Sequence, residues 1–280
     1  MDLGISSYTY VWWAGVPDFP QPADPLTAYS LVDTACSLGA SVVQIADNLP
    51  LDRLTDSELS NFARYARDRR IAIEVGTCGI EHKNLRRYLK IAAALQSSLL
   101  RTLIDTPDHR PSSAEAALLL REIAPEFAEA NVVLAVENHD RFRSHELRQI
   151  VERAASPWVG VCLDTTNSLG CREGIDQVLE TVADLVVNLH VKDFTVRRLT
   201  HNKGFVVEGA IAGRGLLDIP GIFSRLRQTG RDMNVILEQW PPPEADIGAS
   251  VTKEQAWARE GFAYLRTLID KHGTTNTSYL

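Results

Sequence analysis

The chain has 280 residues, 45% of them hydrophobic and 23% charged, which is the composition of an ordinary folded globular protein. Disorder is excluded as its main state, and near-average Gly and Pro usage excludes fibrous classes. With 29 Lys and Arg against 36 Asp and Glu it carries a formal charge of −7, so no basic footprint for nucleic acid is evident.

Met1 and Asp2 lead directly into an apolar, strand-like run, with no secretory segment before it. No stretch approaches the roughly 18 apolar residues needed to span a bilayer. A soluble, cytoplasmic protein is therefore expected, with no membrane or nucleic-acid partner. Cys36, Cys78, Cys162 and Cys171 are dispersed without a C-x-x-C pair, as expected for reduced thiols packed mostly in the interior.

Short apolar runs recur at Leu3–Ser6, Ser41–Ala46, Ile71–Val75, Leu99–Ile104, Val132–Val136, Val159–Leu163, Leu185–Val191 and Val235–Leu237. Helical patterns lie between and after them, near 25–38, 55–69, 82–96, 113–129, 145–154, 174–182, 217–228 and 253–270. Eight strand–helix pairs in strict alternation predict one α/β unit, a single (β/α)₈ TIM barrel over 1–272, with a polar C-terminal tail at 273–280. Gly39 and Gly230 read as helix stops, while Thr55 with Glu58 and Ser113 with Glu115 read as polar starts. Two connections are long, Ser7–Asp24 and Phe194–Leu216. In a parallel barrel such loops fall on the catalytic face, so the second is expected to act as a lid. Gly209, Gly213 and Gly215 form no phosphate-binding pattern and read as a turn into the seventh helix.

Catalytic residues of such a barrel belong at the C-terminal ends of its strands. Polar residues there are Gln44, Asp47 and Asn48; Glu74; Arg101 and Asp105; Glu137, Asn138 and His139. Further on come Asp164 and Asn167; His190, Lys192 and Asp193; and Glu238 with Gln239. Four consecutive strands thus close on Glu137, Asp164, His190 and Glu238. Three carboxylates and an imidazole converging on one point repel strongly unless they surround a cation. A mixed oxygen and nitrogen set of this kind suits one divalent metal ion, Mn²⁺, Mg²⁺, Co²⁺ or Zn²⁺, with positions left for substrate oxygens.

Val136-Glu137-Asn138-His139, Leu163-Asp164-Thr165, Leu189-His190-Val191-Lys192-Asp193, Gly213-Arg214-Gly215-Leu216-Leu217-Asp218 and Leu237-Glu238 stand in order along the chain. Together they resemble the xylose-isomerase-like TIM-barrel superfamily, which includes sugar isomerases, ketose 3-epimerases, inosose dehydratases and, more distantly, AP endonucleases. The resemblance covers roughly 1–270. It implies that Glu137, Asp164, His190 and Glu238 hold the metal and that Glu137 and Glu238 double as the acid/base pair. The chain departs from better-known members at Asn167, where several carry His, and at Val196, where ketose 3-epimerases carry Arg.

These residue types suit proton transfer next to a carbonyl. A divalent ion stabilises the enediolate as a Lewis acid while one carboxylate removes the proton and a second returns it. Lys192 lies two residues past His190 and faces the same way by strand alternation, so it is expected as a substrate contact or an oxyanion partner, the alternative being a rim ion pair with Asp193 or a helix-end carboxylate. His139, Asn167, Arg101, Glu74 and Gln44 are further candidates for substrate binding, and Trp12 for an apolar wall against a sugar face or, equally, for packing between the first helix and the barrel rim. For Glu74, Gln44 and Arg101 the alternative is a polar layer inside the barrel. The expected activity is metal-dependent isomerisation or epimerisation of a sugar or polyol ketone; the alternative is a dehydratase or lyase acting by β-elimination. A homo-oligomer fits both readings.

Overall fold

A computed structural model describes residues 1–273. The segment 274–280 of the expected tail, and the side chain of His272, lie outside the described residues. Eight parallel strands close into a barrel: β1 (Leu3–Ser6), β2 (Val42–Ile45), β3 (Ala72–Cys78), β4 (Leu99–Leu103), β5 (Val133–Glu137), β6 (Val159–Asp164), β7 (Val186–Val191) and β10 (Asn234–Leu237). Each pairs in parallel with its neighbours, and β10 returns to β1 through Leu3↔Val235 and Ile5↔Leu237. Most of their residues are buried, because helices cover the outer face and side chains fill the inside. The fold is the single (β/α)₈ barrel that the alternation predicts.

The covering helices are α2 (Ala28–Leu38), α3 (Asp56–Asp68), α4 (His82–Leu95), α5 (Ser113–Ala130), α6 (Ser144–Ala154), α7 (Ile175–Val182), α8 (Ile219–Gln228) and α9 (Ile247–Gly273). Their apolar stripes, such as Leu59, Phe62 and Ala66 of α3, pack onto the strands. Local chemistry sets their ends. Thr55 and Glu58 form a reciprocal capping box on α3. Gly39 closes α2 in the left-handed region at φ 71°, where a side chain is strained. Ser112, one residue before the expected start, caps α5 by accepting the Glu115 N–H.

The two long connections differ from simple loops. The first, 7–24, folds into a short turn of 3₁₀ helix and α1 (Val11–Ala14). Glu254 of α9 anchors it, accepting the backbone N–H groups of Trp12 and Trp13 at 2.9 and 3.1 Å. The second begins one residue after β7 as an antiparallel hairpin of β8 (Asp193–Arg198) and β9 (Phe205–Ala210). Val196, Val207 and Phe205 share one exposed face of this hairpin. The turn that follows is held by buried Asp193, which accepts the N–H groups of Gly213, Gly215 and Leu217. A Cβ on Gly215 would fall 2.0 Å from the Asp193 carboxylate, so the turn needs glycine there. All four cysteines are free; Cys162 and Cys171 are buried, while Cys36 is exposed.

Candidate active site

The barrel brings Glu137, Asp164, His190 and Glu238 together as buried residues at the ends of, or just past, β5, β6, β7 and β10. His190 is their centre: its Nδ1 lies 3.4 Å from both Glu137 Oε2 and Glu238 Oε1. Ligand atoms of Asp164, His190 and Glu238 fall within 4.8 Å of one another, and so do those of Glu137, Cys162 and His190. The four expected ligands therefore occupy two overlapping groups that share the imidazole.

Local hydrogen bonds aim these side chains. Asp164 Oδ1 accepts the N–H groups of Thr166 and Asn167 at 2.8 and 2.9 Å, which turns Oδ2 inward. Asn138 pegs the β5 and β6 ends together, accepting the Asp164 N–H at 2.6 Å and donating to its carbonyl at 2.9 Å. Ser6, the last residue of β1, donates to Glu238 Oε1 at 2.8 Å. Glu137 is held at both oxygens: Arg101 Nε donates to Oε2, and Asn167 Nδ2 to Oε1 at 2.7 Å. Arg101 is only 3% exposed, and its other end meets Asp47 at 3.0 Å. Tyr8 donates to the same carboxylate at 3.0 Å.

Lys192 Nζ lies 2.8 Å from Asp164 Oδ2 and 3.0 Å from Glu238 Oε2. Burial opposes its charge, but the carboxylates of Asp164, Glu238 and Glu137 outweigh burial and raise its pKa. Burial likewise opposes ionisation of Glu238, yet His190, Lys192 and Arg101 hold its carboxyl down at about 2. Both nitrogens of His190 are buried without a hydrogen-bond partner, and Asp164 Oδ2 and Glu238 Oε2 are met only by the Lys192 ammonium. Leaving the imidazole unpaired is costly, and a divalent ion would take it together with the two carboxylates. The donor set fits one.

Two cavities open above this cage. One of about 440 Å³ is lined by Lys192 and Asn167 with Tyr8, Gln239 and Trp240. The other, about 310 Å³, has Glu137 and His139 in its wall beside Arg141 and Asp105. Asp140 borders both. His139 is half exposed and 3.6 Å from Asp140, on the rim.

Three expectations need correction. Trp12 does not form the apolar wall; it is buried beneath the rim, donating to the Pro241 carbonyl at 2.8 Å and meeting Phe19 edge-on. Trp240 stands in the cavity wall instead, two residues past Glu238 in the coil after β10. Glu74 does not close its strand, because β3 runs on to Cys78. It points into the barrel with Gln44, and their amide partners Asn188 and Asn234 tie both into an internal polar layer away from the two cavities. Nor do Phe194, Arg197, His201, Lys203 or Phe205 of the expected lid line either cavity; Arg197 pairs with Glu208 and Phe205 is 61% exposed. Sequence reasoning also missed Ser6, Tyr8 and Cys162. Ser6 was findable as the polar end of β1.

A closed eight-stranded parallel barrel with this cage on its C-terminal face places the chain among the (β/α)₈ TIM-barrel proteins. Residues 32–268 match the model of the xylose isomerase-like TIM barrel family, and the chain belongs to that family. It is 34% identical over 267 residues to the 3-oxo-isoapionate decarboxylase of Pectobacterium atrosepticum, covering 95% of this chain and 96% of that one. Among solved structures, D-psicose 3-epimerase of Clostridium cellulolyticum H10 superposes with a TM-score of 0.72 at 17% identity, over 96% and 99% of the two chains. The probable 3-DHS dehydratase AsbF of Bacillus anthracis gives 0.69 at 12%, over 95% and 99%. These structural likenesses establish the shared fold. Among the described residues, no helix is long and apolar enough to cross a membrane.

Proposed function

We propose that this chain is a divalent-metal-dependent enzyme that decarboxylates a 3-oxo sugar acid, with Asp164, His190, Glu238 and Glu137 as the metal-holding set. The observation that carries the reading is the asymmetry of the two glutamates. Both oxygens of Glu137 are held by hydrogen bonds from Arg101 and Asn167, whereas Glu238 accepts from Ser6 at Oε1 and meets the Lys192 ammonium, which borders the larger cavity, 3.0 Å from Oε2. Epimerisation by a two-base route needs a proton removed on one face and returned on the other. Decarboxylation needs one proton on one face, after carbon dioxide leaves the carbon next to the carbonyl. Likeness to a decarboxylase along nearly the whole chain supports the same outcome.

A bound divalent ion would supply Lewis-acid stabilisation of negative charge on the substrate oxygens. The chain's own residues do the rest. Lys192 presents a fixed positive charge and N–H donors to the larger cavity, placed to meet oxygens that gain charge as the carboxylate departs. Asn167, beside Lys192 in the cavity wall, orients a substrate hydroxyl while fixing Glu137. Trp240 and Tyr8 supply walls that exclude water.

The second reading, isomerisation or epimerisation of a keto-sugar, keeps support from one feature. Glu137 and Glu238 both approach His190 Nδ1, each at 3.4 Å. One experiment separates the two. Metal-loaded protein is incubated in D₂O with a 3-oxo sugar acid and, separately, with a panel of ketoses. Release of carbon dioxide with one deuterium in the ketone product is expected. Epimerised ketose without carbon dioxide release would establish the second reading instead.

A further inference from the structure

The four ends of the cage do not account for Cys162. This residue lies two positions before Asp164 on β6 and is fully buried, with Glu137 as its register partner on β5 and Asn188 on β7. Strand alternation turns it to the same face as Asp164, one layer deeper in the barrel. Its Sγ, a carboxylate oxygen of Glu137 and a nitrogen of His190 all fall within 4.8 Å of one another. Both His190 nitrogens are fully buried without a hydrogen-bond partner, and Cys162 has only a long contact, 3.5 Å, to Asn188 Oδ1. The imidazole thus serves two triads. One is all oxygen and nitrogen (Asp164, His190, Glu238), and the other includes sulfur.

We propose that Glu137, Cys162 and His190 form a second metal position, selective for thiophilic ions such as Zn²⁺, Co²⁺ or Cd²⁺ and mutually exclusive with the four-residue position proposed above, from which it takes Glu137 and His190. Soft thiolate ligands favour these ions, whereas Mg²⁺ and Mn²⁺ prefer the carboxylate-rich set. On binding, the Cys162 S–H bond breaks, its proton passes to solvent and the sulfur lone pair forms the metal bond, with no change of oxidation state. Because His190 belongs to both triads, an ion on sulfur withdraws the imidazole from the other position. The chain therefore discriminates among divalent ions by depth in the barrel.

The proposal shares His190 and Glu137 with the functional reading above, and its test is spectroscopic so that the two can fail separately. Purified protein stripped with a chelator is titrated with Co²⁺ and with Cd²⁺ while ultraviolet absorption is recorded. A thiolate-to-metal charge-transfer band saturating at one equivalent is expected, absent in Cys162→Ser and in Cys162→Ala, and retained in Asp164→Asn. A band that survives both Cys162 variants would place the ion on Cys36, Cys78 or Cys171 and overturn the proposal. So would the absence of any band in the unaltered protein, a result that needs no variant to fold. Loss of the decarboxylase reading leaves this band unchanged, and absence of the band leaves carbon dioxide release unchanged.

Discussion

Two buried carboxylate sites share the interior of this barrel and differ in how their charge is met. Around Glu74, the amides of Gln44, Asn188 and Asn234 supply donors to both carboxylate oxygens. One layer higher, His190 has no hydrogen bond at either nitrogen, and Asp164 Oδ2 and Glu238 Oε2 are met by the charge of Lys192, with Arg101 on Glu137 beside them. The lower carboxylate is satisfied by neutral amides of the protein itself, and Gln44 Oε1 alone among that layer's atoms is left without a partner. In the upper site, buried polar atoms are oriented by their neighbours but not consumed by them. Burial of an acid therefore does not mark a site; unspent donor and acceptor capacity does.

The largest effect that would break this contrast is expected at Glu238. Glu238→Gln should lower kcat by roughly 10²–10⁴, the range for removing a group engaged in acid–base or charge chemistry, and should weaken metal binding measured by calorimetry. If turnover and metal affinity both survive, the upper cage has no special standing. Next comes Arg101→Met, which leaves Glu137 and Asp47 without their buried counter-charge. Breaking a buried ion pair costs about 3–5 kcal/mol, readable by urea unfolding. Rescue by Arg101→Lys should be partial, because an ammonium cannot reproduce the fork that reaches Glu137 and Asp47 together.

The smallest effect belongs to the lower site. Glu74→Gln replaces one acceptor oxygen with a donor among amide donors and should cost about 1–3 kcal/mol, with metal affinity unchanged. Its pH behaviour sharpens the comparison. Burial pushes the Glu74 carboxyl above its ordinary value against the pull of Asn234, Gln44, His190 and Asn188. The fold therefore favours the protonated form, and stability contributed at acid pH is lost as pH rises from the ordinary carboxylate range through the raised folded value. Glu74→Gln should remove that slope from a plot of unfolding free energy against pH. An unchanged slope would mean that another group produces it.

Legibility along the chain divided by the range of the interaction concerned. The strand–helix alternation, the Thr55 capping box and the Gly39 stop rest on neighbours within a few residues, so composition and period reveal them. The gathering of Glu137, Asp164, His190 and Glu238 was readable too, because each lies at or next to a strand end and closure of a barrel brings those ends to one face. Trp12, Glu74 and the hairpin of β8 and β9 were misplaced for a common reason. Whether a polar or aromatic residue faces the mouth depends on strand length, register and the packing of a distant segment.

Alternation and strand parity are properties of the chain's own order, and they suffice to predict the barrel and the convergence of four ligand-type residues. Which of those residues are already engaged depends on contacts made across the closed sheet. The bond from Arg101 to Glu137 crosses 36 residues of sequence, and that from Ser6 to Glu238 crosses 232. No local period encodes such contacts, because they exist only where the closed sheet sets β4 beside β5 and β1 beside β10. The same closure placed Cys162 next to Glu137 and His190, giving the imidazole two sets of partners where strand order alone suggests one.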